Sequence, residues 1–177
     1  DRLRIQHGTS FGYPVSVNGS HVSAVPNHQT GRVTPLNTRG VVAMTGTFGY
    51  ELDITSLTDE EKNDMSFQIQ VFKENYDLIH QGDYYRLSNP HDNECFTAWQ
   101  IVSQDQSETL LNLVRTRQYA NDPIYQVKLQ GLEGNARYEL MGTKDSFTGN
   151  ALMNGGWSIP RTQVEYEAFS YHFKKIK

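Results

Sequence analysis

Apolar positions along the chain follow two periods. Met65, Ile69, Phe72, Tyr76 and Ile79 recur at spacings of 4, 3, 4 and 3, which sets them along one side of an α-helix. Thr58 followed by Glu61 forms a capping box at its start, and Gly82 stands as a C-terminal stop. Upstream, His21–Val25 reads as a short buried strand closed by Pro26-Asn27. Thr34-Pro35 predicts a helix with Thr34 as cap and Pro35 at the first helical position, running through Val41, Val42, Ala43 and Met44 to Gly46. Phe48, Tyr50, Leu52 and Ile54 alternate, predicting a strand over 47–54. Leu3 and Ile5 fit the last turns of a helix stopped by Gly8. With no cap before it, that helix reads as cut, and we expect the chain to be the C-terminal piece of a longer protein.

Past Gly82 the period shortens to two. Candidate strands cover 83–87, 96–103, 109–115, 125–129, 137–141 and 169–174, separated by turn residues. Phe96, Ala98, Gln100 and Val102 share one face, with Trp99 and Ile101 on the other. Asp105-Gln106-Ser107 reads as a hairpin turn, and Asn89-Pro90 belongs to no strand. The expected organisation is therefore β/α units over 1–82 and an antiparallel β-sandwich over 83–177. Two parallel strands cannot bury both faces of a sheet. The order strand–helix–strand–helix before a sandwich suits the last two units of a (β/α)₈ barrel.

Charge narrows the function. Sixteen Lys and Arg against twenty Asp and Glu leave a net charge of −4. That is the wrong sign for a backbone-reading nucleic-acid binder or an anionic-membrane protein. Cys95 is the single cysteine, so no intrachain disulfide or cysteine-clustered zinc site can form, which fits a reducing compartment. No motif calls for a cofactor or a metal.

Three groups of residues could carry chemistry. His21, Asn27 and His28, with Gln29 and Arg32, cluster in and just after the first strand. At the C-terminal end of a barrel strand they would contact a polar substrate or support those that do. The competing reading is a loop that satisfies its own backbone. Glu51 and Asp53 lie two apart on a strand and face the same way, as a glycosidase carboxylate pair would. Pairing with a cation, or capping the next helix, explains them as well. Trp157 after Gly155-Gly156 reads as a turn with a packed aromatic, or as a sugar platform.

Longer segments bear a resemblance. Leu3–Ser10, His21–Gln29 and Gly31–Leu36 closely resemble the α-galactosidases of glycoside hydrolase family 36. So do Phe48–Asp53, Gln81–Leu87 and Leu152-Met153-Asn154. The resemblance implies a retaining, exo-acting hydrolase of terminal α-galactosides of the melibiose and raffinose type. It also implies a barrel followed by a β-sandwich, with strand seven over 21–25 and strand eight over 47–54. The family's nucleophilic Asp lies on strand four in a Lys-x-Asp motif. Its acid/base Asp lies in a Ser-Asp-x-Thr-Asp motif before the sixth helix. The resemblance implies that both lie outside this chain and that Asp1 has no catalytic role; His21, Asn27 and His28, in and after the first strand, are expected as pocket or supporting residues. The resemblance implies a bacterial, cytoplasmic enzyme; we expect the full enzyme to be a homo-oligomer binding α-galactoside, with neither nucleic acid nor membrane as partner. The rival from another class is a non-catalytic β-sandwich carbohydrate-binding or interaction module preceded by a linker.

Overall fold

The computed structural model describes residues 1–176. Contacts divide the chain into two compact units, Asp1–His80 and Gln81 onward. The first is mixed α/β. Its elements are α1 (Arg2–Thr9), β1 (Val22–Ser23), α2 (Leu36–Ala43), β2 (Tyr50–Glu51), α3 (Asp59–Glu74) and α4 (Tyr76–Gln81). β1 and β2 pair in parallel, Val22 opposite Tyr50 and Ser23 opposite Glu51.

Both strands are shorter than their apolar patterns predict, for local reasons. Phe48 takes a left-handed φ of 39°, which an extended strand excludes. At the other end Asp53 accepts hydrogen bonds from Thr55 N at 2.9 Å and Thr55 Oγ1 at 2.7 Å, turning 54–56 into a 3₁₀ helix. Phe48, Tyr50 and Leu52 still pack on Val22, Leu36 and Ala43, whereas Ile54 is exposed. Helix starts and stops also shift. α1 runs through Gly8 to Thr9, and Ser10 Oγ donates to the His7 carbonyl at 2.7 Å. Pro35 is extended at the cap of α2, so Leu36 is the first helical residue.

The capping box of α3 is formed: Glu61 N donates to Thr58 Oγ1 at 3.2 Å and Thr58 N to Glu61 Oε2 at 2.9 Å. The helical stripe is only partly buried. Phe72 and Ile79 are buried and Met65 and Ile69 half-buried, but Tyr76 is 50% exposed. The cause is Asn75, whose side-chain Nδ2 donates to the Val71 carbonyl at 2.8 Å beside its own N–H at 3.1 Å. A short amide that competes with the backbone ends the helix. α4 then restarts with a different phase, putting Asn75 inside and Tyr76 outside, where Tyr76 stacks on His80 at 4.1 Å.

The second unit is antiparallel. Its strands are β3 (Asp83–Arg86), β4 (Phe96–Val102), β5 (Glu108–Arg115), β6 (Gln126–Val127), β7 (Arg137–Leu140), β8 (Ser146–Thr148), β9 (Trp157–Ser158) and β10 (Glu167–Ile176). Six form one sheet in the order β3-β4-β5-β10-β7-β8, and β6 and β9 form a separate ribbon. The second layer expected of a sandwich is thus small: this ribbon, the π-helix Ala151–Gly155 and the loops around them. Alternation in β4 puts Phe96, Ala98 and Val102 into one core with Leu111, Leu113, Val127, Leu129, Leu152 and Phe173.

Gln100 shares that apolar face and is fully buried. Its Nε2 donates to Thr109 Oγ1 at 2.9 Å and to the Gln130 carbonyl at 3.1 Å, and its Oε1 accepts from Gln130 N at 2.8 Å. The side-chain amide thereby replaces a strand partner for residue 130, so its burial leaves nothing unpaired. Gly131 follows with φ 68°, and a Cβ there would lie 2.5 Å from the Tyr85 hydroxyl. Left-handed backbone and close approach both require glycine. Among the described residues no helix is long and apolar enough to cross a membrane.

Candidate functional site

The polar loop between β1 and α2 holds the sequence-predicted residues, and its geometry follows from Asn27. Asn27 Oδ1 accepts from Gln29 N, Thr30 N and Thr30 Oγ1 at 3.0, 3.0 and 3.1 Å. Asn27 N donates to the Arg32 carbonyl at 2.9 Å and Gly31 N to the Asn27 carbonyl at 2.8 Å. Gly31 supplies the φ of 66° that the turn needs. A cis peptide joins Val25 to Pro26 just before it. Asn27 is half-buried and His28 exposed on the turn. Much of the loop is therefore self-satisfied, with the oxygen of Asn27 committed to it.

His21 lies apart from that turn. Its Nε2 is 2.7 Å from Glu51 Oε2. Glu51 is thus engaged with His21 and Asp53 caps the 3₁₀ helix, so the two carboxylates are held by different partners. Hydrogen bonds from Thr55 hold the exposed Asp53 carboxyl below the usual range. Among the described residues no group of three His, Cys, Asp or Glu side chains could hold a metal ion.

Sequence reasoning passed over the residues that hold this loop in place. Arg39 of α2 donates from Nη1 to the Ser23 carbonyl at 2.6 Å and from Nε to the Thr34 carbonyl at 2.9 Å. Beside it, Tyr50 OH donates to Gln68 Oε1 at 2.8 Å, and Gln68 Nε2 to the Leu36 carbonyl at 3.3 Å. Burial pushes the Tyr50 hydroxyl up to about 12, against the pull of Arg39. The Gln68 amide reaches this position only because Gly40 has no side chain, since a Cβ would lie 2.3 Å from Gln68 Oε1. The signal was present in the sequence as a Gln inside an apolar helical stripe.

Trp157 is absorbed by packing. It meets Tyr171, Phe173 and Phe147 with ring centroids at 5.0, 5.2 and 5.5 Å. Lys62-Asn63-Asp64 has the letters of a Lys-x-Asp motif, but it lies on α3, where Lys62 pairs with Asp59 at 3.3 Å. It is not the strand-borne motif of the family.

The Melibiase family model matches residues 1–82, and the model of the glycosyl hydrolase family 36 C-terminal domain matches 96–173. The bifunctional α-galactosidase/sucrose kinase AgaSK of Mediterraneibacter gnavus is 48% identical over 100% of this chain and 19% of its own length. The α-galactosidase AgaA of Geobacillus stearothermophilus is 45% identical over 99% of this chain and 24% of its own. The solved galactosidase domain of AgaSK superimposes with a TM-score of 0.95, covering 99% of this chain and 24% of that one. A variant of AgaA solved in complex with raffinose gives 0.95 at 43% identity, again over 99% of this chain and 24% of that one. The chain spans about a quarter or less of the length of these relatives. With two models of one family over its two parts and its relatives matched along its full length, the chain belongs to glycoside hydrolase family 36.

Proposed function

We propose that this chain is the C-terminal part of a retaining α-galactosidase, and that the whole enzyme cleaves terminal α-galactosides of the melibiose and raffinose type. The observation that carries the reading is the end-to-end match at 48% identity to an α-galactosidase. Solved relatives hold raffinose and stachyose. In double displacement one carboxylate attacks the sugar while a carboxylic acid about 5 Å away protonates the leaving group, then activates water. Both groups belong to segments outside this chain.

On this reading β1 and β2 are consecutive strands of the catalytic barrel. A parallel pair of two residues each, with α2 between them, suits such a place, because so short a pair is not stable without further strands. The loop 24–33 then follows the C-terminal end of a barrel strand, where pockets form. Asn27 and His28 are pocket supports, and His21, held by Glu51, is a support further back. None transfers a proton. On the same reading the whole enzyme is a cytoplasmic homo-oligomer.

The test is hydrolysis of a chromogenic aryl α-galactoside, with galactose as inhibitor. The full-length enzyme should turn it over and this chain alone should not. Galactose-sensitive turnover by the chain alone would overturn the placement of the carboxylates. Asn27→Ala in the full-length enzyme should lower kcat/KM by about tenfold to a hundredfold, or roughly 1.4–2.7 kcal/mol. An unchanged kcat/KM would make loop 24–33 a self-satisfied turn remote from substrate.

A further inference from the structure

The loop 24–33 is stitched at its tip and clasped at its root, and the clasp is one side chain. Ser23 is the last residue of β1, and Thr34 leads into α2. The Arg39 guanidinium bonds the carbonyls of both, at 2.6 and 2.9 Å, and so spans the mouth of the loop. Arg39 is itself seated on a fixed base. Gln68 of α3 ties the first residue of α2 through the Leu36 carbonyl at 3.3 Å, and Tyr50 of β2 fixes Gln68 at 2.8 Å. The bonds around Asn27 shape the tip but reach only as far as Arg32. Arg32 also lies 3.9 Å from Asp1, an exposed pair, whereas the bonds at the root are shorter and part-buried.

We propose, resting on the reading that this loop borders the galactoside pocket, that Arg39 is a positioning residue. It holds the loop so that Asn27 and His28 are in place before substrate arrives. Two N–H groups of a rigid planar fork satisfy two separate carbonyls at once, which the single ammonium of lysine does not reproduce. With the clasp loosened, only a fraction of loop placements is competent, and apparent affinity falls by that fraction. Chemistry on carboxylates elsewhere proceeds at its usual rate once substrate is bound.

Arg39→Lys and Arg39→Gln in the full-length enzyme should each raise KM for an aryl α-galactoside about tenfold while leaving kcat within about twofold. Hydrogen exchange at the amides of Asn27 and Gly31, both bonded within the loop, should quicken by about tenfold in the same variants. A lower Tm with KM and exchange unchanged would make Arg39 merely structural and overturn the proposal. Faster exchange with unchanged KM would overturn it too, because the loop would then move without consequence for substrate. If neither variant folds, the unmodified enzyme decides: an Arg39 Nε–H slowed in exchange by its bond to the Thr34 carbonyl supports the clasp, and an Nε–H exchanging at free-guanidinium rates overturns it. A wild-type enzyme without galactosidase turnover sinks the functional reading and the positioning role together, whereas the exchange measurements expose a failure of the clasp alone.

Discussion

Single side chains do the most visible work where a polar group meets an apolar surface. Gln100→Leu would keep the volume of the core but orphan the N–H and carbonyl of Gln130, bonded at 2.8 and 3.1 Å. A buried group without a partner costs about 1–3 kcal/mol, so chemical denaturation should show a loss of at least that size; a neutral result would mean that water reaches residue 130. Asp105, in the turn between β4 and β5, shows the same principle on the surface. Ser107 and Ser103 hydrogen-bond its carboxylate and hold its pKa down to about 2. A carboxyl depressed below its unfolded value near 3.9 stabilises the fold above that value. The contribution is lost as pH falls from about 4 through about 2. Asp105→Asn should flatten the acid limb of stability against pH in that window, and an NMR titration should place the Asp105 midpoint near the lower end. Some of this was legible beforehand and some was not. The turn at Asp105 and the capping box of Thr58 and Glu61 lie within four residues, so their letters announce them. Arg39 bonds carbonyls, which have no letter, and its role appears only in three dimensions.

Elements were readable where local signals and tertiary packing agree. The start of α3, the paired faces of β4 and the register-bearing core of β5 are such cases. They were misread where one residue redirects the backbone. Asn75 breaks the helix and turns Tyr76 outward, and the left-handed Phe48 shortens β2. β8 and β9 went unseen because each is two or three residues long, and β9 pairs with β6, distant in sequence. The stripe of α3 makes a quantitative contrast. Phe72 is 9% exposed and packs on Phe48 with centroids 4.8 Å apart, whereas Phe67 is 67% exposed. Phe72→Ala should cost about 3–5 kcal/mol and Phe67→Ala within about 0.5 kcal/mol, measured by denaturant unfolding. Equal costs would mean that Phe72 does not lie on the buried face of α3.

At the scale of the molecule the two units differ in how they treat apolar residues. The core around β4, β5 and β10 is continuous, while in the first unit Val22, Leu36 and Ala43 form a small cluster. In that unit Phe11, Tyr13, Val17, Val33 and Phe67 are each more than 60% exposed. Apolar surface of this kind favours self-association. The isolated chain should therefore form concentration-dependent oligomers by light scattering, and Phe11→Ser with Tyr13→Ser should reduce them. Unchanged association in that double variant would place the adhesive surface elsewhere.

The order of strands in the large sheet also sets a timetable. β10, residues 167–176, lies between β5 and β7 and pairs with both. During synthesis the hairpin of β4 with β5 and that of β7 with β8 emerge first, as two halves not yet joined by a strand between them. Each holds out a bare strand edge, the template on which neighbouring chains pair. Only when the ribosome releases residues 167–176 does a single segment zip both edges shut. A ribosome stalled before residue 167 would hold a nascent chain with two edges open to chaperones and proteases, whereas the released chain has both closed.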